Sequence, residues 1–164
     1  EPGTIIKPLI PSRYKHKTWC LSEFNGGIMR KMTFDIQKTI QYWIEGAEYD
    51  LATAQDLLEK RRYPYALFFG HLALEKLLKA LVVQSTGAHA PFTHDLNLLA
   101  SKLRLEITVE IQRDLELFSE FNLEARYPEI KKQFYDKCDA SYTEEKLRRL
   151  REIYAWFREK SSKS

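Results

Sequence analysis

From residue 35 onward the apolar positions recur at helical spacing, and no segment alternates as a strand would. Ile40, Trp43, Ile44, Ala47, Leu51, Ala54, Leu57 and Leu58 trace one stripe. It predicts a long amphipathic first helix, N-capped by Asp35, with Lys60, Arg61 and Arg62 at the negative end of the macrodipole. Tyr63-Pro64 breaks this pattern, and Pro64 suits the opening of a second helix because its missing donor falls where no intrahelical bond is needed. The second helix, YALFFGHLALEKLLKALVV from Tyr65 to Val83 and on to about Gly87, is apolar around most of its circumference. Such a helix belongs at the centre of a fold. One row interrupts it: His71, Glu75 and Lys79 recur every fourth residue and therefore share a face.

Beyond the GAHAPF turn, Thr93 is placed to cap a short third helix containing Leu96, Leu99 and Leu103. A fourth begins near Thr108 and carries Ile111, Leu115, Phe118, Phe121 and Ala125. It is expected to end at Tyr127-Pro128, because the residue before proline is pushed away from helical angles. Between Pro128 and Ala140 the pattern supports only a helical turn around Phe134. Ser141, spaced from Glu144 as in a capping box, starts a last helix through Leu147, Leu150, Tyr154 and Phe157. The predicted fold is all-α, an antiparallel four- to five-helix up-and-down bundle.

With 164 residues, 44% of them hydrophobic, the chain can bury one real core. His71, Glu75, Lys76 and Lys79 break the one stretch that approaches the roughly 18 apolar residues of a membrane span. The early residues have no signal-peptide core, so a cytoplasmic location is expected. Cys20 and Cys138 lie far apart, without a CxxC or a histidine at ligand spacing, and reduced thiols are expected rather than a zinc site or a disulfide. No cofactor and no metal are implied. The net charge is +3, but residues 1–31 hold Lys7, Arg13, Lys15, Lys17, Arg30 and Lys31 against Glu1 and Glu23, so the remainder is slightly acidic. That speaks against broad nucleic-acid binding by the globular part, which would rest on phosphate neutralisation. The same residues are interrupted by Pro2, Gly3, Pro8, Pro11, Gly26 and Gly27. They read as an irregular arm, a candidate non-native extension, ahead of a bundle domain over 32–164.

The chain contains no Gly-rich phosphate loop, no HExxH, no Glu-x-x-His and no GxSxG. Three local groups remain. The row of His71, Glu75 and Lys79 reads as the solvated edge of the second helix in preference to a catalytic row, with Glu75 and Lys79 forming an i,i+4 pair in the favourable order. Thr93-His94-Asp95 supplies helix-start residues, and His94 beside exposed amides can hold a phosphate. In Arg126-Tyr127-Pro128, an arginine closes the fourth helix, where a cation is favourable in itself.

In order, the Trp-containing first helix, the FFGHLALEKLLKALV helix, THDLNLLASKL after a Pro-containing turn and finally ARYP resemble the prokaryotic HEPN domain over about residues 35–158. The resemblance implies an antiparallel helical bundle, usually homodimeric and often encoded beside a minimal nucleotidyltransferase. It implies one of two activities. A metal-independent HEPN ribonuclease uses an arginine with a histidine a short spacer downstream; Arg126 fits the arginine, but Lys131, Lys132 and Gln133 stand where the histidine belongs. No histidine follows His94, and lysine at its ordinary pKa is a poor general base. The expectation is therefore the noncatalytic class: a nucleotide- or RNA-binding protein, partner of a nucleotidyltransferase in a two-gene, toxin–antitoxin-like system. Its candidate phosphate-binding residues are Arg126, Lys131, Lys132, His94 and Lys79, with His71, Glu75 and Tyr127 as a candidate cleft edge. The alternatives are an endoribonuclease using Arg126 and a ligand-free helical dimerisation module.

Overall fold

The computed structural model of the chain describes residues 34–124 and 128–161, the side chains of 123–131 excepted. Among the described residues there are six helices and no strand: α1 (Ile36–Glu59), α2 (Tyr63–Thr86), α3 (Leu96–Ala100), α4 (Val109–Glu124), α5 (Pro128–Lys137) and α6 (Ala140–Ser161). The arm expected over 1–31 lies outside the described residues, as do Arg126 and Tyr127. No described helix is long and apolar enough to cross a membrane.

The helix boundaries follow from local chemistry. Asp35 caps α1, its carboxylate accepting the Lys38 N–H at 3.0 Å. At the other end Arg61 adopts a left-handed φ of 57°, the Arg61 N–H bonds the Leu58 carbonyl and the Arg62 N–H bonds the Leu57 carbonyl. This paired termination usually carries glycine at the left-handed position. It turns the chain back at once, so α2 runs antiparallel against α1 with Pro64 in its first turn. Gly87 closes α2 with φ 67°.

Two caps fall elsewhere than the sequence suggested. Asp95, not Thr93, caps α3 by accepting the Leu98 N–H at 3.0 Å, while the Thr93 hydroxyl accepts the Asp95 N–H and holds the turn before it. Leu103 lies beyond this helix. At α6, Asp139 accepts the Tyr142 N–H at 2.8 Å, so it takes the role assigned to Ser141. A carboxylate close by outcompetes the hydroxyl because the charged acceptor makes the stronger bond. The turn expected around Phe134 is a full helix, α5, which inserts Phe134 into the core.

α2 packs against every other helix. Leu67, Leu74, Leu77 and Leu78 from α2 are fully buried with Leu115, Phe118 and Phe121 of α4 and Leu147, Leu150 and Phe157 of α6. Each such side chain contributes about 1.5–3 kcal/mol by leaving water. Gly70 sets the approach of α2 to α6: a Cβ there would stand 2.9 Å from Leu147 Cδ2, closer than carbon atoms tolerate. The bundle is therefore centred on the helix that carries the ionisable row.

Candidate functional site

The row on α2 is not a solvated edge. His71, Glu75 and Lys79 expose only 0%, 5% and 8% of their surfaces. Periodicity placed them on one face, but α1, α4 and the loop before α3 cover that face, which helical spacing alone could not reveal. Burying ionisable groups is unfavourable unless they are paired, and here they are.

Glu75 is the hub. Its Oε1 accepts from Lys79 Nζ at 2.7 Å. Its Oε2 lies 3.1 Å from His71 Nε2 and 2.8 Å from His94 Nδ1. Burial pushes the Glu75 carboxyl up, but hydrogen bonds from His71, Lys79 and His94 overcome this and hold it at about 2. Glu75 is thus an ionised carboxylate inside the bundle at neutral pH. Lys79 is held from its other side by the Trp43 ring, 5.2 Å from Nζ, a cation–π contact made across from α1.

His71 is constrained at both nitrogens. Nδ1 is 2.9 Å from the Phe118 backbone carbonyl of α4, so it must donate. Nε2 then faces the Glu75 carboxylate. His94, by contrast, stands at the rim with 57% of its side chain exposed. Its Nδ1 is directed inward to Glu75, which turns Nε2 away from the hub. The loop carrying it is secured at both ends: Leu96 N–H donates to Ser119 Oγ of α4, and His89 packs its ring 3.8 Å from that of Phe34.

A second, partly buried ion pair runs beside the first. Lys76 Nζ meets Asp50 of α1 at 2.7 Å. Gly46, one turn before Asp50, leaves room for the lysine stem, since a Cβ there would lie 3.2 Å from Lys76 Cδ. α1 and α2 are therefore joined by charge as well as by their apolar stripes.

Residues 40–160 match the HEPN domain family. The chain belongs to the HEPN family. No curated protein matches it. Among solved structures, TT1696 from Thermus thermophilus shares the fold, with a TM-score of 0.65 at 22% identity over 74% of this chain and 97% of that one. The resemblance read from the GHLALEKLLKALV helix and the THDLNLL segment thus holds at the level of family and fold.

Within this HEPN bundle the structure brings together His71, Glu75, Lys79 and His94, which the sequence left in two separate groups. Lys79, a candidate phosphate ligand, is instead committed to Glu75 and Trp43. Lys132 is exposed on α5, while the side chains of Arg126, Tyr127 and Lys131 lie outside the described residues. Tyr135 packs edge-on against Tyr65 at 6.0 Å, and burial with the Tyr65 hydrogen bond pushes its phenol up to about 12. Three participants escaped the sequence reading: Trp43, Asp50 and the Phe118 carbonyl. Trp43 looked like an ordinary stripe residue, and a backbone acceptor leaves no mark in a sequence. Only the Gly46 to Asp50 spacing on α1 carried a usable signal, a small residue followed one turn later by an acid on the packed side.

Proposed function

We propose that this HEPN protein binds nucleotide or RNA and works as the partner of a minimal nucleotidyltransferase in a two-gene, toxin–antitoxin-like system, as a homodimer without a complete catalytic motif. The observation that carries the reading is the placement of His94. Its ring is fixed from inside by an ionised Glu75 at 2.8 Å while most of its surface is open to solvent. A ring held in this way turns Nε2 outward at no further ordering cost, and in the doubly protonated ring that nitrogen donates to a phosphate oxygen. Arg126 and Lys132 supply cations of the right type in the segment that the family motif ARYP opens. A slightly acidic domain that binds through a few placed donors should bind weakly and select by geometry rather than by net charge.

Titration of purified protein with mononucleotides, with short RNA and with a minimal nucleotidyltransferase tests the reading. Binding to at least one, weakened by Arg126→Ala, is expected. Absence of binding to all three would leave a ligand-free dimerisation module. RNA degradation without metal that disappears in Arg126→Ala would replace the noncatalytic role with an endoribonuclease.

A further inference from the structure

Three ligand-capable side chains converge on one point at the rim of the bundle. One ligand atom each from His71, Glu75 and His94 lies within 4.8 Å of the others. The atoms that face one another are His71 Nε2, Glu75 Oε2 and His94 Nδ1, with Oε2 at 3.1 and 2.8 Å from the two nitrogens. We propose that these three residues bind a divalent transition-metal ion of the zinc class, with a coordination position left open toward solvent beside His94.

The surroundings of the three atoms support this more than their closeness does. His ligands to zinc ordinarily donate their other ring nitrogen to a carbonyl or carboxylate, which fixes the tautomer and aims the lone pair. His71 has that arrangement, with Nδ1 donating to the Phe118 carbonyl at 2.9 Å and Nε2 aimed at the convergence point. The carboxylate is likewise held: Lys79 occupies Oε1 at 2.7 Å, which leaves Oε2 for monodentate ligation. Two imidazoles and one carboxylate are a donor set of catalytic zinc sites, where the fourth place goes to water or substrate.

Spacing is also compatible. Zinc bonds of about 2.0–2.1 Å in a tetrahedron set ligand atoms about 3.3–3.4 Å apart. The two contacts to Oε2, at 3.1 and 2.8 Å, need to open by about a quarter and about half an ångström. His94 can supply this movement because it is on a loop and mostly exposed. Lys79 opposes a second cation nearby. The Glu75 carboxylate, bonded to Lys79 through Oε1 and facing the convergence point through Oε2, offsets part of that repulsion.

Chelator-stripped, tag-free full-length protein is titrated with Co²⁺ and Zn²⁺, and His94→Ala is the matched variant because an exposed loop residue can be removed without opening the core. The expected result is one Co²⁺ per chain, visible absorption of a low-coordinate site, displacement by Zn²⁺ and a melting temperature raised by Zn²⁺. His94→Ala should weaken binding by more than about tenfold and lose the absorption band. No Co²⁺ band and no thermal shift in the wild type would overturn the proposal, as would equal binding by His94→Ala. None of these readouts involves nucleotide or RNA, so the result stands apart from the binding function proposed above.

Discussion

His94 Nδ1 lies 2.8 Å from Glu75 Oε2, tying the loop before α3 to the middle of the central helix across 19 residues of chain. The bond has unequal ends: Glu75 is buried and ionised, whereas His94 is mostly in water. Removing either partner should therefore have very different consequences. Glu75→Gln leaves Lys79 inside the bundle without its counter-ion, and should cost about 3–5 kcal/mol in urea unfolding. His94→Ala leaves two of the three Glu75 partners in place and should cost less than about 1 kcal/mol. Equal losses would mean that the loop contact, rather than charge compensation, stabilises this region.

Acid should weaken the fold through the same carboxylate. Glu75 titrates at about 2 when folded against 4.5 for the free side chain. A folded value below the unfolded one means that the unfolded chain takes up the proton first. The contribution is fully present above about pH 4.5 and is lost as pH falls toward about 2, on the order of 3 kcal/mol in all. Urea midpoints at about pH 5 and about pH 3 should separate further for the wild type than for Glu75→Gln. Parallel pH profiles for the two proteins would contradict the assignment of Glu75 as an ionised hub.

The α1–α2 turn offers a test free of electrostatics at the site. Arg61 holds a left-handed φ of 57° in a termination that favours glycine. Because that conformation costs a side-chain-bearing residue about 1 kcal/mol, Arg61→Gly should raise stability by about 0.5–1 kcal/mol, read as a higher unfolding midpoint with unchanged m-value. A loss of stability would indicate that the arginine side chain makes a compensating contact.

The elements and the central helix were legible in the sequence because each depends on short-range rules. Asp35, Pro64 and Gly87 marked helix ends, and the apolar circumference of α2 marked it as the helix around which the others pack. The burial of His71, Glu75 and Lys79 was not legible. Whether a polar row faces water or another element depends on residues distant in sequence, here Trp43 and Phe118. His94 and Glu75 were each singled out but assigned separately, because their contact is made by the fold of the loop and not by spacing. The caps at Asp95 and Asp139 were displaced for a local reason: aspartate stood close to a hydroxyl residue that fitted the motif equally well.

Binding of fluorescently labelled short RNA and of a labelled mononucleotide, compared between wild type and His94→Ala at low and high salt, tests the central claim most directly. The expected result is measurable wild-type binding of at least one ligand, weakened about tenfold or more by His94→Ala and reduced by added salt, in a variant whose unfolding midpoint is nearly unchanged. Binding that His94→Ala leaves intact, or no binding of either ligand by the wild type, would contradict it.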